Sequence, residues 1–157
     1  MVTAEASGGR GGGEVDGSPI RRVLLLLVLL GMVGLILELA LLEHIESVAQ
    51  WIPFAVLGLG LVAWALVAWR PAFATLRFFQ ATMVLFIATG LLGLFLHFRG
   101  NTQFELEEDP SLHGVLLVWR ALRGATPALA PGALIQLGLL GLVFAYRHPA
   151  LRRGAES

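Results

Sequence analysis

Four apolar blocks, residues 23–43, 51–69, 77–98 and 130–147, follow one another along the chain, the first three separated by short joints and the last two by a longer one. Apolar runs of about 17 to 25 residues have the length of a membrane-crossing helix, whereas a buried strand needs far fewer. The first block follows Arg21 and Arg22, and from Val23 to Leu42 it is interrupted only by Glu38. It exceeds the apolar core of about 7 to 15 residues typical of a cleaved leader. It also leads into Glu43, His44 and Glu46 rather than a small-residue cleavage site, so it is expected to persist as a span. Trp51 and Trp69 bound the second block, matching the aromatic belt of a bilayer interface, and Pro53 falls in the first turn, where its missing N–H costs nothing. Arg70 and Pro71 stop it, and the tight joint to the third block makes spans two and three antiparallel neighbours. Ala130, Pro131 and Gly132 open the fourth block; Arg147, His148 and Pro149 close it.

Within the third block, Thr82, Phe86, Thr89, Gly90, Gly93, His97 and Asn101 recur at helical spacing and share one stripe. Small and polar residues on an otherwise greasy helix mark the side that meets other helices, because small residues admit close approach and lipid offers a polar group no partner. Residues 99–129 form the one substantial connection. It begins with the acidic cluster Glu105, Glu107, Glu108 and Asp109, after which Asp109 or Ser111 is placed to cap a helix over residues 110–123. Leu112, Val115, Leu116, Trp119 and Leu122 make one apolar face of that helix, with Arg120 and Arg123 near its end. That pattern predicts a short amphipathic helix lying at the membrane surface.

The expected fold is thus an all-α integral membrane protein, a bundle of four transmembrane helices with an interfacial helix in the external loop between helices 3 and 4. Residues 1–20, Gly-rich and without periodicity, read as a disordered cytoplasmic tail, and residues 151–157 as a C-terminal one. Composition agrees: 57% of the 157 residues are hydrophobic and 14% charged, below the soluble norm of about 25% charged. All 11 basic residues are arginine, a bias of GC-rich bacterial genomes that suggests the inner membrane as location. One side of the spans collects Arg10, Arg21, Arg22, Arg70, Arg77, Arg147, Arg152 and Arg153, and the other only Arg99, Arg120 and Arg123. The positive-inside rule then puts both termini in the cytoplasm. Cysteine is absent, which excludes thiolate metal sites and thiol redox chemistry, and zero formal charge gives no bulk attraction to nucleic acid.

Chemistry-bearing residues are few. Glu38 is the one ionisable side chain inside an apolar block, and it shares a face with Gly31 and Gly34, so it is expected to point at another helix. Either it is a functional carboxylate or it snorkels and bonds a neighbour for packing alone. His97, Asn101 and the nearby His44 lie toward the same external side, where imidazole and carboxylate ligands suit a proton relay or a divalent metal; the plain alternative is a hydrated helix end. Gln136 in the fourth block lies off the Gly138, Gly141 and Ala145 face and reads first as interhelical glue. No P-loop, dinucleotide fingerprint, zinc-protease or nucleophile-elbow pattern occurs, so catalysis has no motif behind it and no cofactor is identifiable. Two functions follow. The first is a non-enzymatic accessory protein or subunit, embedded in the lipid bilayer, that acts by helix association with a membrane partner or a second copy. The alternative is a proton or divalent-metal carrier or sensor using Glu38 and His97, supported by His44, Asn101 and Gln136.

Overall fold

Long runs of Leu, Ala, Val and Phe favour continuous helix, and in the computed structural model every regular element among the residues it describes, 18–41, 50–124 and 129–153, is a helix. The elements are α1 Ser18–Leu41, α2 Trp51–Trp69, α3 Phe73–Glu108, α4 Gly114–Leu122, α5 Leu129–Ala145 and α6 Pro149–Arg153. Three of them, α1, α2 and α3, are long and apolar enough to cross a membrane; α5 is equally apolar but shorter, at 17 residues. Of the expected tails, 1–20 and 151–157, residues 18–20 and 151–153 are helical, in α1 and α6, and the rest, like the segment carrying Glu43, His44 and Glu46, lie outside the described residues.

Glycines set the contacts between helices. A Cβ built on Gly93 would lie 2.9 Å from Pro131, one on Gly90 2.6 Å from the Pro131 carbonyl, and one on Gly138 2.7 Å from the Met83 carbonyl. Phe79 meets Phe144 edge-on further along the same seam. These pairs fix α3 and α5 as antiparallel neighbours in constant register; Gly90 and Gly93 of the small-and-polar stripe face α5, while its His97 and Asn101 lie beyond the end of α5. Gly60 of α2 is covered by Phe86 of α3 and Met32 of α1, while Gly31 of α1 is covered by Leu137 of α5. The Trp64 indole donates to the Leu25 carbonyl at 2.8 Å, which joins α1 to α2 and satisfies the one polar atom of a half-buried ring. Helices α1, α2, α3 and α5 therefore form a closed square in chain contact order α1, α2, α3, α5, with α1 and α3 at opposite corners and no backbone approach between them. Val28, Met32, Leu57, Leu76, Phe79, Met83 and Phe86 fill its centre.

The third helix is longer than its apolar block. Gly60 faces Phe86, so Trp51, nine residues back, is level with Phe95. Gly93 faces Pro131, which puts Leu129 at that level too. The α3 residues beyond, 96–108, extend about 20 Å past the outer ends of α2 and α5 at 1.5 Å per residue. The sequence reading ended this span near residue 98; Gly100 does not break it, because one helical glycine costs only about 1 kcal/mol and helix-forming Gln, Leu and Glu residues follow. Asp109 also differs from expectation. It does not cap α4, but accepts bonds at Oδ1 from the Ser111 amide (3.1 Å) and hydroxyl (2.6 Å), making the turn that ends α3. The next helix begins later, at Gly114, whose φ of +62° is a left-handed conformation that glycine adopts without penalty.

Candidate functional site

Two regions gather the residues singled out by sequence. The first is the head of α3. From the turn at Asp109, α4 doubles back along α3: Arg120 pairs with Glu105 at 3.7 Å, and the Asn101 amide donates to the Ala121 carbonyl at 3.0 Å. Asn101 is only 6% exposed, so this bond satisfies a polar group that burial would otherwise penalise. Gly124 lies hard against it, its Cβ position 2.6 Å from the Asn101 side chain, so a larger residue there would push the amide away. The α3 and α4 segments thus form a helical hairpin standing off the square. At its base a cavity of about 310 Å³ is lined by Leu94, Phe95, His97, Phe98, Asn101 and Leu122. Of the apolar face read from the sequence, Val115, Leu116, Trp119 and Leu122 are exposed and Leu112 is buried, while Ala121 is the buried residue of α4 beside Asn101.

Asp109 at the hairpin tip has its carboxyl held below the usual aspartate range, chiefly by the Ser111 hydroxyl, then by the Ser111 amide. Glu107 and Glu108 are exposed beside it. Among the described residues, no group of three or more His, Asp or Glu side chains is arranged to hold a metal ion.

The second region is the outer face of α1. Glu38 is exposed, not turned toward a neighbouring helix as its shared face with Gly31 and Gly34 implied. Gly31 does pack, under Leu137, but Gly34 has open space where a Cβ would stand. Glu38 therefore sits at the edge of the packed arc, on a surface that continues through Gly34, Leu37 and Leu41, all exposed. Among the described residues it has no hydrogen bond or ion pair.

The structure separates what the carrier reading would join. His97 and Asn101 line one cavity, but Glu38 is on α1, whose backbone does not approach that of α3. Met32 faces Gly60, so Glu38 is level with Phe54 and hence with Leu92, about one and a half turns short of His97. Gln136 is exposed on α5 alongside Leu139 and Val143, neither bonded to a neighbouring helix nor near Glu38. His44 lies outside the described residues. Sequence reasoning missed Arg21, whose guanidinium donates at 3.3 Å to the carbonyls of Phe144, Tyr146 and Arg147 and so closes the C-terminal end of α5. An arginine aimed at a helix C-terminus answers both the unpaired carbonyls and the dipole, and its only sequence signal was its place at the mouth of the first apolar block.

No family model matches the chain, and no curated protein or solved structure matches it.

Proposed function

We propose that the chain is a non-enzymatic accessory protein or subunit of the bacterial inner membrane, which binds another membrane protein through the open face of α1. In this reading α5 joins α1, α2 and α3 as a fourth span, and both termini are cytoplasmic. The level of Arg77 and the level of Phe95 are eighteen residues apart on α3, about 27 Å, close to the roughly 30 Å of a hydrocarbon core. The hairpin then stands on the external side, with Trp119 and Leu122 of α4 at headgroup depth as the interfacial element.

One observation carries the partner reading: Glu38, a carboxylic acid in an apolar span, is exposed beside Gly34, where nothing covers the backbone. A charged side chain facing lipid costs about 2.5 to 3.5 kcal/mol at mid-membrane and less toward the interface. A partner helix offering a hydrogen-bond donor removes that cost, and Gly34 lets its backbone approach closely. The face is therefore suited to a polar helix–helix contact rather than to lipid.

Extraction in mild detergent tests this. The tagged chain is expected to co-purify with a defined membrane protein in fixed ratio, and Gly34→Leu is expected to release that protein while leaving the chain folded. A monomer carrying no associated protein, or an association indifferent to Gly34→Leu, would count against it.

A further inference from the structure

At the end where α1 begins, four helices bring arginines to one level. Phe79 rests on Phe144, which sets Arg77 level with Tyr146 and Arg147. Arg21 reaches the Tyr146 and Arg147 carbonyls, and Arg22 follows it in the chain. Gly60 faces Phe86, so Trp69 and Arg70, nine and ten residues on, are level with Arg77 and Leu76. Arg152 belongs to α6, which packs against α3 just beyond. Among the described residues, every acid, Glu38, Glu105, Glu107, Glu108 and Asp109, lies toward or past the opposite end. Arg21, Arg22, Arg70, Arg77, Arg147 and Arg152 are thus gathered without a described carboxylate to neutralise them. Arg21 is engaged by the α5 carbonyls, whereas Arg22, Arg70, Arg147 and Arg152 are exposed. Trp69, 90% exposed, and the exposed Tyr146 stand at the same level, as aromatic side chains do at headgroup depth.

We infer that this arginine ring binds the phosphate-bearing headgroups of anionic phospholipids in the cytoplasmic leaflet. The inference rests on the membrane reading above. Guanidinium groups meet phosphate oxygens with paired N–H donors, and the ring's uncompensated positive charge favours lipids whose phosphate is not cancelled by a choline ammonium, so it selects anionic over zwitterionic lipid. Each arginine near an anionic surface is worth roughly a fivefold gain in binding.

The full chain, reconstituted into vesicles of equal phosphatidylglycerol and phosphatidylcholine and then extracted gently, has its retained lipids counted by mass spectrometry. Phosphatidylglycerol is expected to be enriched about tenfold, and enrichment is expected to fall at about 0.5 M salt as exposed charges are screened. The Arg22→Gln, Arg70→Gln, Arg152→Gln triple variant is expected to bring the ratio close to one, while Arg99→Gln with Arg123→Gln at the far end leaves it unchanged. Equal retention of the two lipids by the unaltered chain, salt-independent enrichment, or enrichment surviving the triple substitution would overturn the inference. Displacement of the lipid by millimolar inorganic phosphate would also overturn it, by showing a site for the free anion. Failure to insert into vesicles of any composition would instead overturn the membrane reading, and the inference with it.

Discussion

Replacing Gly138 by alanine probes the seam that organises the square. The new methyl group would stand 2.7 Å from the Met83 carbonyl oxygen and 2.7 Å from the Ile87 side chain. Ile87 can turn aside, but the carbonyl belongs to the α3 backbone and cannot. Ordinary contact begins at 3.4 Å, so α3 and α5 must part locally by about 0.7 Å. Side-chain contacts along the seam weaken with that separation, and overpacking of this kind costs about 1 to 3 kcal/mol. Gly90→Ala makes the same demand from the other helix, against the Pro131 carbonyl at 2.6 Å. Because one displacement relieves both clashes, the double variant is expected to lose less than the sum of the singles. Unfolding in mild detergent with increasing denaturant measures all three, and Gly58→Ala is the control, since nothing lies within 4 Å of its Cβ position. That control is expected to be neutral or slightly stabilising. A Gly138→Ala variant as stable as the parent, or a Gly58→Ala variant equally destabilised, would refute the packing argument.

Other consequences are more local. Arg21→Gln is expected to destabilise by about 1 kcal/mol, because its three bonds to the end of α5 are long and half-exposed; faster hydrogen exchange confined to the last turn of α5 would identify the cause. The Asp109 carboxyl is depressed in the folded chain, so its contribution to the hairpin turn is present above the ordinary aspartate value of 3.8 and is lost as pH falls below that through the lowered one. Exchange at the Ser111 amide is therefore expected to lose protection only on acidification below about pH 4, and Asp109→Asn is expected to abolish that pH dependence.

The elements themselves were legible because apolar length and period are one-dimensional signals. The stripe from Thr82 to Asn101 named the packed face of α3, since small residues at helical spacing leave little choice of contact surface. The length of α3 was less legible: Gly100 and the acidic cluster resemble an exit into a loop, and what holds residues 99–108 helical is the return of α4 onto Asn101 and Glu105, a tertiary effect. The facing of Glu38 was not legible for a geometric reason. At about 100° per residue it stands some 20° from Gly31 and 40° from Gly34, and the boundary of the packed arc falls among these three. Periodicity gives their shared side but not which of them the neighbour covers. Pairing Glu38 with His97 needed the order of helices around the square, which no single-chain pattern encodes; the common level of the arginines became readable only after Gly60 and Phe79 had fixed the registers.

The proposed partner contact has a protein, not lipid, covering the outer face of α1. A photo-crosslinking residue at position 34, with Glu38 retained, activated in native membranes, tests it against the same residue at position 139, on the exposed face of α5. A discrete protein adduct is expected from position 34 and lipid adducts alone from position 139. Lipid adducts alone from both positions would contradict it.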